Sequence, residues 1–112
     1  MPAAAEICQI QVAHSEREAL QAIVDDLLER RLIACGQLLG PVTSSFRWRG
    51  SREREEEWLA LLKTARSRAP EVCERVRALH SYEVPEVLVT EIAGGEASYL
   101  EWVLEQTAPA ER

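Results

Sequence analysis

The stretch that decides the fold runs from residue 7 to residue 31, ICQIQVAHSEREALQAIVDDLLERR. In its first part Cys8, Ile10 and Val12 alternate with Gln9 and Gln11, the period-two pattern of a half-buried strand. Ser15 with Glu18 three residues on has the spacing of a capping box and predicts that a helix starts there. Leu20, Ile23, Val24, Leu27 and Leu28 then recur at helical spacing and form one apolar stripe. Arg30 and Arg31 suit the negative end of that helix.

Working outward, Leu32 to Cys35 is a second apolar run, disturbed by Gly36, Gly40 and Pro41. Alternation resumes from Val42 to Trp48, with Phe46 and Trp48 on one face and Arg47 and Arg49 on the other. The pattern predicts one long strand with a bulge or bend near Gly40-Pro41, since sheets tolerate proline mainly at edges and bulges. Gly50-Ser51 marks a hairpin turn, and Glu53 to Ala65 reads as the return strand with Trp58, Ala60 and Leu62 on one side. Pro70 suits the first turn of a second helix, whose inward stripe is Val72, Cys73, Val76 and Leu79. His80 to Pro85 ends it. Val87 to Ile92 reads as a strand, and Gly94-Gly95 turns the chain. Ser98 with Glu101 has capping-box spacing, and a last helix carries Tyr99, Leu100, Trp102, Val103 and Leu104.

The order is β-α-β-β-α-β plus a terminal helix, an α+β chain of the ferredoxin-like type. It reads as one domain over residues 1–112, with about 1–5 and 108–112 expected to fray. The composition is that of an ordinary globular protein, 46% hydrophobic and 29% charged. Thirteen Lys and Arg against 19 Asp and Glu give a net charge of −6. That balance argues against nucleic-acid binding, because phosphate contacts come from Lys and Arg. The opening residues lack the basic and apolar regions of a signal peptide. No apolar run approaches the roughly 20 residues of a membrane span, so no membrane partner is expected. Cys8, Cys35 and Cys73 are odd in number and widely spaced, which points to reduced thiols and the cytoplasm.

The last helix is apolar around most of its circumference, and a helix of that kind must be covered on two sides. The hairpin adds Phe46, Trp48 and Trp58, more aromatic surface than two strands bury alone. The small core could absorb these groups, but the excess favours a subunit interface.

Five segments resemble the CutA divalent-cation tolerance family. Arg31-Leu32-Ile33-Ala34-Cys35 is similar to its R/K-L-x-A-C stretch, and Thr43 to Gly50, TSSFRWRG, to its T-S-x-x-x-W-x-G hairpin. Leu61-Leu62-Lys63-Thr64 resembles its hydrophobic-K-T strand end, His80 to Glu86, HSYEVPE, its H-P-Y-E-V-P-E signature, and Tyr99 to Val103 its Y-L-x-W-hydrophobic segment. The resemblance implies a PII-like homotrimer in the cytoplasm, an association with copper and other divalent cations, no required cofactor and no catalytic activity. Val12 and Leu79 stand where some relatives carry a cysteine and a histidine.

Two sites are expected. Cys35 and His80 are the softest donors, with Glu83 able to add an oxygen, and copper or zinc would favour such a set. The alternatives are a buried small hydrophobe for Cys35 and a helix-terminal residue for His80. The second is a ligand cleft or interface of Trp48, Trp58, Lys63, Tyr82, Glu83, Tyr99 and Trp102, polar groups among aromatics; a Lys63–Glu83 ion pair fixing register is its structural counterpart. The run from Arg52 to Glu57 reads as a solvated hairpin end. No residue stands in a catalytic arrangement, since Ser44 and Ser45 lack an activating partner. Two functions follow: a metal-associated protein of divalent-cation response, or a PII-like scaffold binding a small ligand or partner protein.

Overall fold

The computed structural model describes residues 6–109. The elements are β1 (Ile7–His14), α1 (Arg17–Glu29), β2 (Cys35–Trp48), β3 (Ser51–Ala65), α2 (Ala69–Leu79), β4 (Val87–Glu91) and α3 (Ala97–Gln106), with a short 3-10 turn at Arg66–Arg68. The strands form one antiparallel sheet in the order β2-β3-β1-β4, so the expected β-α-β-β-α-β order with a terminal helix holds. The expected fraying of 1–5 and 110–112 lies outside the described residues. Thr107, just before the expected tail, is buried, and its hydroxyl donates to the Val103 carbonyl at 2.8 Å.

Alternation in β1 sends Cys8, Ile10 and Val12 to one face, where α1 and α2 cover them with Leu20, Ile23, Val24, Leu27, Val72 and Val76. Gly36 lets α1 approach β2: a Cβ there would lie 2.6 Å from Val24 Cγ1. Arg75 clamps the two helices, its Nε and Nη2 each donating to Asp26 at 2.9 Å. Leu79, expected inward, is exposed.

Helix ends differ from their sequence signals. The residues before α1 and α3 are Glu16 and Glu96, neither with a side-chain cap bond, so neither capping box forms. Around α1 the reason is tertiary: the Ser15 N–H donates to the Tyr82 hydroxyl and the Glu16 N–H to His14 Nδ1. At the other end of α1, the Leu32 N–H reaches the Leu27 carbonyl and the Arg31 N–H the Leu28 carbonyl. Arg31, at φ 58°, holds the left-handed position that glycine usually takes in this stop.

The predicted irregularity in β2 falls between Leu39 and Val42. Gly40 has φ 141°, and a Cβ there would crowd Trp58 and the Glu57 carbonyl. The bulge shifts parity, so Cys35, Gln37 and Leu39 share a face with Val42, Ser44, Phe46 and Trp48 through their pairing with β3. The hairpin turn sits one residue earlier than predicted, at Arg49-Gly50, both with positive φ and closed by the Trp48–Ser51 pair.

The second face of the sheet is largely open. Helix α3 closes one end of it, burying Leu100 and Val103 against Ile7. Beyond that end, register places Leu39, Leu59, Leu61 and Leu88 on this face beside Gln9 and Gln11. Leu39 is 42% and Leu88 56% exposed. The aromatic excess of α3 takes the form of Tyr99 and Trp102, left outside with ring centroids 5.6 Å apart.

Candidate functional site

The expected site residues fall into two groups at opposite ends of the sheet. Cys35 and Lys63 are cross-strand partners at the end closed by α3. Lys63 Nζ donates to Gln37 Oε1 at 2.6 Å, and the Tyr99 hydroxyl contacts the Cys35 thiol. Burial, with a smaller contribution from that thiol, raises the Tyr99 pKa.

The other group gathers where β1 ends. The His14 and His80 rings stack at 4.3 Å and are both buried. Each Nδ1 accepts a backbone N–H, from Glu16 at 2.9 Å and from Tyr82 at 3.1 Å. A backbone N–H can only donate, so Nδ1 of His80 carries no proton. Its Nε2 therefore donates to the Ala13 carbonyl at 2.7 Å. Burial first, then the His80 ring, lowers the His14 pKa.

Tyr82 ties this pair to β3. Its ring packs 4.5 Å from His80 and 5.2 Å from His14. Its hydroxyl accepts the Ser15 N–H at 2.8 Å and donates to Glu57 Oε2 at 2.9 Å. Burial raises the phenol pKa. Glu57 is only 7% exposed and stands in the wall of an open groove of about 560 Å³ between the hairpin and the Tyr82–Glu86 segment. Phe46, Trp48, Glu53, Glu55 and Glu83 also line it.

The remaining expected residues separate accordingly. Trp48 belongs to the groove, with the Arg49 guanidinium 5.2 Å above its ring. Glu83 pairs with Arg49 at 2.7 Å and not with Lys63, so the register-fixing Lys63–Glu83 pair does not form within the chain. Trp58 packs against this chain's own core, beneath Arg17.

The metal set does not assemble in one chain. His80 bonds Ala13, which pairs with Leu59, whereas Cys35 pairs with Lys63. Four residues of strand put them about 13 Å apart. Both ring nitrogens of His80 are already engaged. Among the described residues no group of three or more His, Cys, Asp or Glu is placed to hold a metal ion. Copper therefore does not fit these residues within a single copy.

Sequence reasoning passed over His14 and Glu57. Glu57 was legible in principle: it is the last acid before the apolar run and shares the strand parity of Leu59 and Leu61.

The matching family model is that of the CutA1 divalent ion tolerance protein, over residues 8–106. The chain belongs to the CutA1 family. It is 41% identical to the divalent-cation tolerance protein CutA of Thermus thermophilus, over 80% of this chain and 87% of that one. It is 33% identical to the chloroplastic protein CutA of Arabidopsis thaliana, over 88% of this chain and 54% of that longer one. The solved Cut A1 structure from Thermus thermophilus superposes with a TM-score of 0.88 at 36% identity, over 91% of this chain and 99% of that one. The structure of the periplasmic CutA from Archaeoglobus fulgidus gives 0.87 at 31%, over 90% and 98%. CutA1 members are not enzymes, and the non-catalytic reading of this chain stands with the family. None of the described helices is long and apolar enough to cross a membrane.

Proposed function

We propose that this chain acts in divalent-cation tolerance as a PII-like homotrimer in the cytoplasm. The observation that carries the oligomer is the open sheet face. Leu39, Leu59, Leu61 and Leu88 form an apolar surface contiguous with Gln9 and Gln11, and α3 covers only its end. A face of this kind, with alternate residues already buried on the other side, is the pattern of a surface that a second copy covers. Three free thiols accord with a reducing compartment. Copper or another divalent cation enters as a species the assembly responds to. Cys35 and Glu83 hold one only where separate copies bring such groups together, since His80 has both ring nitrogens engaged within its own chain.

Light scattering tests the assembly: the expected mass is three times the 12.6 kDa of the chain, and a persistent 12.6 kDa species refutes it. Isothermal titration of Cu²⁺ into the assembled protein and Cys35→Ala tests the cation. Binding lost in Cys35→Ala is expected, and equal binding removes Cys35 from the site.

A second reading has its own support. Cys35, Lys63 and Tyr99 stand at the rim of the open face, so covering that face would form a cleft with a few polar groups among aromatics. A small ligand or partner protein bound there would make the trimer a signalling scaffold. Thermal shifts across small anions and nucleotides, compared between the parent and Lys63→Met, test it. Ligand-dependent shifts lost in Lys63→Met are expected; a trimer that no ligand shifts refutes it.

A further inference from the structure

The outer half of the hairpin carries the sequence Arg52-Glu53-Arg54-Glu55-Glu56-Glu57. Charges that alternate with period two are sorted by a strand onto opposite faces. The cross-strand register completes the sorting. Arg47 faces Arg52, Ser45 faces Arg54 and Thr43 faces Glu56, so three arginines share one face with a single glutamate at its inner end. Phe46 faces Glu53, Ser44 faces Glu55 and Val42 faces Glu57, so three glutamates share the other with Phe46 and Trp48. Residues 52–56 are exposed, as expected of a solvated hairpin end, and Glu57 alone is buried; the charges are nonetheless sorted into a net cationic face, three arginines to one glutamate, and an anionic one.

Each face is unfavourable by itself, because like charges directly opposite or diagonal on a sheet repel. Arg49 brings one cation to the groove, where it pairs with Glu83 over the Trp48 ring, and the other charges of the two faces are left without ion pairs among the described residues. Among the described residues, Arg47, Arg52 and Arg54 form no ion pair, and Arg54 reaches only the Ser45 hydroxyl at 3.4 Å. Glu53, Glu55 and Glu57 also form none. Glu57 is the telling case: a carboxylate 7% exposed, held among the described residues by the Tyr82 hydroxyl alone, in the wall of the groove. A buried carboxylate without a cation is costly unless one arrives from outside. The groove offers what a guanidinium takes, carboxylates in reach of its fork and aromatic rings to stack on.

We propose that the arginine face of a second copy's hairpin fills this groove, so that Arg47, Arg52 and Arg54 of one copy meet Glu53, Glu55 and Glu57 of the next. The contact is head-to-tail: each copy offers its basic face and receives with its acidic one. Because the two faces point to opposite sides of the hairpin, each copy uses one face on each of two neighbours, and such a heterologous contact forms a ring when its rotation closes. The acidic face also continues the open sheet face through the parity of β3, so one approach covers both. The proposal rests on the trimer reading and supplies its recognition chemistry.

Sedimentation across a dilution series at low salt tests it with charge-reversed hairpins. Reversing the basic face (Arg47→Glu, Arg52→Glu, Arg54→Glu) is expected to weaken association at least about tenfold, as is reversing the acidic face (Glu53→Arg, Glu55→Arg). Glu57 is left intact to preserve its bond to Tyr82. A chain with both faces reversed restores complementarity and is expected to associate within about threefold of the parent. Single-face variants that associate like the parent overturn the proposal, and so does a doubly reversed chain no stronger than either of them. Those results leave a parent trimer standing. A parent that is itself monomeric overturns the trimer reading and this proposal together.

Discussion

Replacing Tyr82 by Phe removes a single hydroxyl that joins three parts of the fold. That oxygen accepts the Ser15 N–H ahead of α1 and donates to Glu57 in β3, from the segment that follows α2. The two bonds do not weigh equally. Ser15 is exposed, so water replaces the lost acceptor and this loss costs well under about 1 kcal/mol. Glu57 is buried, and among the described residues this is its one side-chain bond; a hydrogen bond to a charged group contributes about 1.5–3 kcal/mol. The expected destabilisation of Tyr82→Phe is therefore about 2–3 kcal/mol. Urea denaturation measures it, at one fixed protein concentration because association contributes to apparent stability. A double-mutant cycle with Glu57→Gln isolates the shared bond, with an expected coupling of at least about 1 kcal/mol. A Tyr82→Phe protein within about 0.5 kcal/mol of the parent, or a coupling near zero, would refute the view that Tyr82 holds the buried carboxylate.

Gly36→Ala places a Cβ 2.6 Å from Val24 Cγ1 and 3.2 Å from Leu62 Cδ2. It should cost about 1–3 kcal/mol in urea denaturation, with part recovered by adding Val24→Ala; a neutral Gly36→Ala contradicts the close approach of α1 to β2. Thr64→Val deletes a buried hydroxyl that donates to the Leu32 carbonyl at 2.7 Å and should cost about 1–2 kcal/mol, read the same way. The Arg75 fork holds the Asp26 carboxyl below its usual value of 3.8. A folded value below the unfolded one contributes stability that is full above the unfolded value and is lost as pH falls through the folded one. Asp26→Asn should thus lower stability at neutral pH and flatten its decline below about pH 4, and curves that stay parallel would contradict the clamp.

Much of the architecture was open to reading along the chain, for a local reason. Strand and helix backbones repeat every 2 and 3.6 residues, so buried faces leave periodic marks such as Cys8–Ile10–Val12 and Leu20–Ile23–Val24–Leu27. The same rule placed the irregularity at Gly40-Pro41, where glycine is needed and the proline needs an edge. End signals were weaker. Both capping boxes had the right letters, yet the Ser15 N–H went to Tyr82, 67 residues away. A competing tertiary partner is invisible to a local motif.

The site shows the limit more sharply. Lys63, Tyr82 and Glu83 are three polar residues within signature segments, and nothing in their order separates them. The sheet register does: Lys63 sits with Cys35 at one end, Tyr82 with His14, His80 and Glu57 at the other.

The sequence by itself determined the element order, the core faces of β1, α1 and β3 and the family, because periodicity and short signatures are properties of neighbouring residues. Only the tertiary structure decided which side chains meet. It parted Cys35 from His80, stacked His80 on His14 and buried Glu57. It also left one sheet face open and turned an Arg-Glu alternation into two opposed charged faces. Those outcomes depend on strand register and on contacts between residues far apart in the chain, and an antiparallel sheet sets them only when it closes.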